Sequence, residues 1–313
     1  SDGYFATIRA VVEHFSRPPE GRNTRRINLF PAMMSCADLR HLRELAAAYG
    51  LSAVMLPDYN ATLEGGSWDA YHRISPGGTS VEEIMEASAS AASLEIGHSQ
   101  SESKQSAAAF LEKTHGVPRH AAGWPLGIRL SDQFFTTLSE ISGRIMPPAI
   151  EEERGRLVDA YVDAHKYVAG KTAAVYGEPD LVLALAAFLS EIGIRPIICA
   201  TGSKVRGWRD LLEQEIDGGA DDVEAVAGAD HAELADQARA LWPDLLVGAS
   251  KGYPLARELG IPLVRVGFPI HDRIGGQRML TVGYRGTQEL FDRVVNAAMA
   301  DKQERSETGY SYL

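Results

Sequence analysis

Residues 151–180 read EEERGRLVDAYVDAHKYVAGKTAAVYGEPD, a stretch that predicts a helix, a buried strand and the start of a second helix. Apolar residues recur at helical spacing in its first part and predict an inward face, formed by Leu157, Tyr161, His165 and Val168. Gly170 is typical of the residue that ends a helix, and residues 172–176 form the short apolar strand. Helices that alternate with short buried strands predict a parallel sheet covered on both faces.

Two aspartates in this stretch, Asp159 and Asp163, lie one turn apart on one face of the predicted helix. Like charges at this spacing destabilise a helix by about 0.2–0.5 kcal/mol, so the pair needs a cation, a basic partner or good solvation. Two carboxylates supply only part of the six or more oxygen ligands that Ca²⁺ takes, and the remainder would come from another chain or from water. A solvated acidic face is the alternative interpretation.

The alternation of strands and helices continues through the rest of the chain. Strands are predicted over residues 27–30, 53–56, 93–97, 172–176, 195–199, 245–248 and 263–266, with a weaker one over 223–226. Helices are predicted over residues 4–15, 36–49, 80–92, 102–114, 131–142, 147–170, 181–192, 205–216, 232–241, 254–259 and 288–299. The pattern predicts an α/β fold with two Rossmann-like domains, each a parallel sheet flanked by helices.

The length of 313 residues exceeds what one hydrophobic core usually serves and suits two domains. We predict a first domain over residues 1–146 and a second over 147–313, with residues 147–170 as a linking helix and 301–313 as a polar tail. The first predicted helix has no strand before it. We therefore expect the chain to begin partway through a longer protein.

Composition excludes several classes of protein. The net charge of -11 argues against sequence-independent nucleic-acid binding, which needs a basic face. No apolar run is long enough for a membrane span, and the N-terminus lacks the pattern of a secretion signal. The two cysteines, Cys36 and Cys199, fit a reducing, cytoplasmic compartment, and they are too few for a four-cysteine metal or iron–sulfur site.

A G-x-S-x-G motif spans residues 248–252 and joins a predicted strand to a helix, where the nucleophile of an α/β hydrolase would lie. His271 is the only histidine after Ser250, and the acid between them, Glu258, falls in the middle of a predicted helix. A turn of small residues is therefore the favoured interpretation, and a serine hydrolase the alternative.

Residues 201–204, Thr-Gly-Ser-Lys, also follow a predicted strand and precede a helix, so their amides could cradle an anion. They lack the full P-loop pattern, and no G-x-G-x-x-G fingerprint occurs in the sequence. A helix cap is the favoured interpretation of this segment.

Several segments, spread in order over nearly the whole chain, resemble the β chain of the nitrogenase molybdenum–iron protein. They are SPGGT at 75–79, LSEISG at 138–143, ERGRLVD at 153–159, DAH at 163–165, GK at 170–171, YGEPD at 176–180, VRVGFPI at 264–270, DR at 272–273, GYRG at 283–286 and GYSY at 309–312. The β chains of vanadium and iron-only nitrogenases, the cofactor-assembly scaffold and nitrogenase-like reductases are close relatives of that family.

The resemblance implies a chain of the nitrogenase component 1 type, with this sequence as the second and third of three α/β domains. It implies that the P-cluster cysteines lie upstream and that the α chain holds the active-site iron–sulfur cofactor, so no catalytic or cofactor-binding residue is expected here. Asp159 and Asp163 match a pair that binds a calcium or iron ion between two β chains. His271 replaces an aromatic residue usual in the family, and Glu178 stands where an aspartate is common.

From this resemblance we expect the structural and interface portion of the β subunit of a nitrogenase-type reductase. The expected partners are an α chain, a second β chain and an ATP-dependent iron protein, and the reaction is the ATP-driven reduction of dinitrogen or a related substrate. The isolated fragment is expected to be inactive. A cofactor-assembly scaffold subunit is the main alternative, and a serine α/β hydrolase is a remote one.

Overall fold

The computed structural model describes residues 2–97 and 106–308, and the chain divides into two compact units. The first comprises Ser1–Pro125, Arg129–Glu151 and Gln277–Val282; the second comprises Leu126–Ile128, Glu152–Gly276 and Gly283–Leu313. Each unit contains one parallel sheet flanked by helices, which confirms the predicted fold class. Among the described residues, no helix combines the length and the apolar character that crossing a membrane requires.

The sheet of the first unit has four parallel strands in the order β2-β1-β3-β4. Its strands are β1 (Asn23–Pro31), β2 (Ser52–Met55), β3 (Ser90–Ile96) and β4 (Arg119–Ala122). The sequence analysis missed β4. This strand lies at the edge of the sheet and has one buried residue, Ala122, so it lacks the apolar run by which a strand is recognised.

The helices in the first half of the chain are α1 (Asp2–Phe15), α2 (Cys36–Ala48), α3 (Asn60–Leu63), α4 (Val81–Met85), α5 (Ala107–His115) and α6 (Gly127–Ser142). The helix predicted over 80–92 is wrong in length: α4 ends at Met85, a 3-10 turn covers Ala87–Ala89, and β3 begins at Ser90. The sequence allows two capping boxes at its start, Thr79 with Glu82 or Ser80 with Glu83, and the structure forms the second. Residues 102–105 of another predicted helix lie outside the described residues.

The sheet of the second unit has five parallel strands in the order β7-β6-β5-β8-β9. They are β5 (Thr172–Gly177), β6 (Arg195–Thr201), β7 (Glu224–Ala227), β8 (Leu245–Gly248) and β9 (Leu263–Arg265). The weak strand predicted over 223–226 is the edge strand β7. The helices are α7 (Pro148–Val168), α8 (Pro179–Glu191), α9 (Trp208–Glu215), α10 (His231–Leu241), α11 (Tyr253–Leu259) and α12 (Gly283–Glu304).

The predicted inward face of α7 is correct at three of its four positions. Leu157 and Val168 are fully buried and Tyr161 is mostly buried, where its hydroxyl donates to Glu191 at 2.9 Å. His165 is exposed, so the stripe is narrower than predicted. The predicted polar tail begins later than residue 301, because residues 301–304 complete the last turn of α12. Residues 309–313 of that tail lie outside the described residues.

Candidate functional site

The predicted cation ligands, Asp159 and Asp163, lie one turn apart on the exposed side of α7. Among the residues that the structure describes, neither carboxylate has a hydrogen-bond or ion-pair partner. No group of three or more histidine, cysteine or acidic side chains within 2–97 and 106–308 is arranged to hold a metal ion. Two carboxylates fit a hard cation chemically, but they supply only part of its ligands.

The same side of α7 also carries apolar and small residues. Val158 and Val162 are 38% and 74% exposed, and they form a row next to the two aspartates. Gly155 lies one turn before Asp159, and an added Cβ there would meet no atom within 4 Å. We call these five residues the outer face of α7. This face thus combines two exposed apolar side chains with two carboxylates that have no partner within the described residues.

The carboxyl ends of β5 and β8 mark the topological switch point of the second sheet, where open α/β sheets bind ligands. Tyr176, the penultimate residue of β5, fills this region. Its hydroxyl donates to the carbonyl of Ala249 and accepts the N–H of Gly252 at 3.0 Å. The ring of His231 packs edge-on against the tyrosine ring at 6.0 Å. Burial raises the pKa of Tyr176 well above its ordinary value, so the hydroxyl keeps its proton.

Packing against Tyr176 explains the glycines of the G-x-S-x-G motif. A Cβ on Gly248 would lie 2.7 Å from the tyrosine ring, and one on Gly252 would collide with the tyrosine hydroxyl. Ser250 is buried, and its hydroxyl accepts the backbone N–H of His271 at 3.2 Å. The contact is thus made by the main chain of His271. The favoured interpretation, a turn of small residues, agrees with this geometry.

Residues 201–204 do not open a helix, which corrects the predicted cap. Thr201 is the last residue of β6, and its hydroxyl accepts the N–H of Ser203 at 3.3 Å. Helix α9 begins at Trp208, after Gly207 in a left-handed conformation. The stem of Lys204 packs near Gly228. The segment is a strand-to-helix connection that is longer than the prediction allowed.

The two cysteines are fully buried and free. Burial raises the pKa of both thiols, that of Cys199 above the ordinary range of a cysteine. The thiolate is the form that binds a metal. Cys36 belongs to the first unit and Cys199 to the second, and neither is part of a group of three or more potential ligands within the described residues, so they do not form the ligand set of an iron–sulfur cluster.

The sequence analysis missed two buried carboxylates in the first unit. Glu95 on β3 is completely buried and binds Arg119 on β4 at 2.7 Å. Asp38 in α2 accepts the N–H groups of Thr281 at 2.6 Å and Val282 at 3.2 Å. A single acid within an apolar strand was a signal for Glu95. The spacing of Ser35 and Asp38 at the start of α2 indicates a helix cap, but it does not indicate that Asp38 also binds Thr281, which is distant in the sequence.

Comparison with known proteins places these features in context. The family model "Nitrogenase component 1 type Oxidoreductase" matches residues 1–299. The "Nitrogenase molybdenum-iron protein beta chain" of Clostridium pasteurianum is 32% identical over 304 residues, which are 97% of this chain and 65% of that protein. The "Nitrogenase iron-molybdenum cofactor biosynthesis protein NifN" of Mesorhizobium japonicum is 34% identical over 303 residues, 96% of this chain and 63% of that protein.

A solved structure, "Nitrogenase Cp1 at pH 6.5", superimposes with a TM-score of 0.92 at 30% identity and covers 99% of this chain and 68% of that one. The "Nitrogenase molybdenum-iron protein beta chain" of a strain of Methanococcus maripaludis is 29% identical over 302 residues, 95% of this chain and 64% of that protein. The chain thus spans a little under two thirds of the length of the curated relatives it matches.

Proposed function

Because this chain belongs to the nitrogenase component 1 type oxidoreductase family, we propose that it is the interface-forming portion of a β-type chain in a nitrogenase-type reductase. In this proposal the complex reduces dinitrogen or a related substrate, with electrons from an ATP-dependent iron protein. This chain packs against an α-type chain and pairs with a second β-type chain. It represents the middle and C-terminal domains of such a β chain.

The observation that carries this proposal is the superposition on "Nitrogenase Cp1 at pH 6.5" over 99% of the chain with a TM-score of 0.92. The filled switch point gives independent support. Tyr176 occupies the place where an α/β sheet binds a ligand, and its hydroxyl is engaged by Ala249 and Gly252. A sheet sealed in this way suits a supporting role.

In this proposal, the iron–sulfur clusters of the complex are bound by residues outside the described part of this chain. Such clusters supply electron transfer and substrate reduction when they are bound. Cys36 and Cys199 do not fit them, because neither has the further ligand side chains around it, within the described residues, that a cluster needs. The two free, buried cysteines are typical of a reducing compartment and support a cytoplasmic location.

We assign the outer face of α7 to the contact between two β-type chains. Asp159 and Asp163 contribute two carboxylates to a calcium or iron ion there, and the partner supplies the remaining ligands. The exposed Val158 and Val162 supply apolar area beside the ion. The cation removes the repulsion between two like charges one turn apart.

The test of this contact uses the complete complex purified without oxygen. Asp159→Ala combined with Asp163→Ala should lower its calcium and iron content by one ion per β-type chain, that is two per symmetric β–β contact, and weaken the pairing of β-type chains. Asp221→Ala with Asp222→Ala, two exposed aspartates elsewhere in the second unit, gives a control with the same change in charge. Equal ion content and equal pairing in both double variants would refute the assignment.

The test of the main proposal is the composition and activity of the native complex. A tag on this chain in its source organism should recover an α-type chain of the same family and ATP-dependent reduction activity once iron protein is added. The 313-residue chain alone should be colourless and inactive. Recovery of the chain without any family partner, or turnover by the chain alone, would contradict the proposal.

A cofactor-assembly scaffold is the second candidate, since relatives named for cofactor biosynthesis are up to 34% identical to this chain. The two candidates differ in what the native complex does. A scaffold would carry a cofactor precursor, pass it to another protein and reduce no substrate with iron protein and ATP. A reductase would carry a full set of P-cluster cysteines upstream of this sequence and reduce substrate.

A further inference from the structure

A small apolar cavity lies in the first unit between the sheet and the segments that cover it. Its wall is formed by six apolar side chains, Val12, Phe30, Val54, Leu56, Ile84 and Ala87, and by one amide, Asn28. Six of the seven residues are at most 7% exposed, and only Leu56 is half-buried. The cavity is therefore lined mainly by interior side chains and is partly enclosed.

The one polar side chain in the wall has little to offer a ligand. The amide nitrogen of Asn28 donates to the carbonyl of Ala87 at 2.9 Å and to the hydroxyl of Ser93 at 3.0 Å. Its oxygen accepts the hydroxyl of Ser90 at 2.9 Å. Both N–H groups are thus in use, and at most one acceptor site is left. A buried water needs about two to four polar partners, so this cavity stays dry.

The size of the cavity limits what can enter it. The centre of a sphere the size of a water molecule can move through about 10 Å³. A compact region of that volume leaves room for a sphere of roughly 2.7 Å radius. A noble-gas atom or a diatomic gas molecule fits such a space. Benzene does not, since the engineered cavity that binds it measures about 150 Å³.

We propose that this cavity is a binding site for one small apolar gas molecule. Dispersion contacts with the surrounding side chains supply the attraction, because a gap without partner atoms forfeits such contacts. A ligand of one or two heavy atoms gains little free energy per atom, so the dissociation constant is millimolar or weaker. The site rests on the packing of the first unit and is independent of the proposed function.

Xenon is the probe for the test, because it is apolar, monatomic and visible both to nuclear magnetic resonance and to X-rays. Titration of the 313-residue chain with dissolved xenon should give a saturable shift of the ¹²⁹Xe resonance. Ala87→Leu fills the cavity and should remove the saturable part. Ala47→Leu makes the same change at an exposed position of α2 and should retain it.

Val54→Ile adds a single methylene and serves if Ala87→Leu fails to fold; it should reduce the saturable shift at least twofold. The thermal midpoint of each variant shows that it is folded. The proposal would be overturned by a ¹²⁹Xe shift that changes linearly with the protein and xenon concentrations, without saturation, and is equal in wild type and in the folded variants. A crystal structure with a hydrogen-bonded water in the cavity, or binding of benzene there, would also overturn it. Xenon density between Phe30 and Ile84 in a pressurised crystal would support it.

Discussion

The carboxylate of Asp38 accepts the backbone N–H of Thr281 at 2.6 Å, although 243 residues separate them in the sequence. The same carboxylate accepts the Thr281 hydroxyl at 3.0 Å, and that hydroxyl accepts the indole N–H of Trp124 at 3.2 Å. A buried acid at the start of α2 therefore holds the segment Gln277–Val282 within the first unit.

Asp38→Asn should destabilise the first unit. The substitution removes the charge and turns an amide N–H₂ toward backbone N–H donors, so buried donors lose their acceptor. Hydrogen bonds to a buried charge contribute about 1.5–3 kcal/mol, and we expect a loss at the upper end of that range. Urea unfolding measures it. Asp69→Asn, on an exposed loop, should stay within about 0.5 kcal/mol of wild type, and a similar effect of both variants would contradict the anchoring role.

Two glycine substitutions should change stability in opposite directions. Gly252→Ala drives a Cβ into the hydroxyl of Tyr176, and overpacking of this kind costs about 1–3 kcal/mol. Gly155→Ala meets open space in the middle of α7 and should stabilise the chain by up to about 1 kcal/mol, since alanine is the better helix former. Thermal unfolding of both variants provides the comparison. A stable Gly252→Ala variant would show that Tyr176 does not seal the turn.

The ion pair between Arg265 and Asp272 should make stability depend on pH in the acid range. The guanidinium holds the pKa of Asp272 below its ordinary value of 3.8, with two contacts of 2.9 Å and one of 2.7 Å. Because the pKa of Asp272 is lower in the folded state than in the unfolded state, the ion pair stabilises the fold fully at pH values above the unfolded-state pKa. This stabilisation is lost as the pH falls through the folded-state pKa.

Unfolding midpoints of wild type and Asp272→Asn, measured from about pH 6 to about pH 3, test this sign. The two proteins should differ most at the higher pH and converge as the carboxyl gains its proton. High salt should reduce the difference, because Asp272 is exposed. Parallel curves for the two proteins over the whole range would refute the prediction.

Ser250→Ala should leave any ester hydrolysis by the chain unchanged. The serine hydroxyl accepts the backbone N–H of His271, and within the described residues it makes no hydrogen bond to a histidine ring or a carboxylate that could act as its base. An activated ester is the substrate, and wild type and variant should share the same background rate. A loss of more than about tenfold in the variant would restore the hydrolase hypothesis.

Local patterns were sufficient to predict most of the fold. Strand β8 was predicted with its observed bounds, and β5 and α8 to within two residues at either end, because their apolar runs are bounded by glycine or by charged residues. The edge strand β4 was not predicted, because Arg119 and His120 interrupt its apolar character. A strand of that kind is defined by its neighbour β3, which a pattern along one segment does not reveal.

The candidate site was predictable only in part. The spacing of Asp159 and Asp163 places both on one face of a helix, and the structure shows that this face is exposed. Whether a cation lies there depends on a second chain, so the assignment stays a prediction. The role of Tyr176 could not be predicted, because its contacts with Ala249 and Gly252 join positions more than 70 residues apart.

The switch point of the second sheet is closed by one side chain, that of Tyr176. The first turn of α8 lies directly after β5, the strand that carries Tyr176. The N-cap residue of this helix, Glu178, makes no side-chain capping hydrogen bond. Tyr176→Ala would open a gap the size of a phenol beside the start of that helix. Whether the switch point of this sheet is filled or open to a ligand therefore depends on one residue of β5.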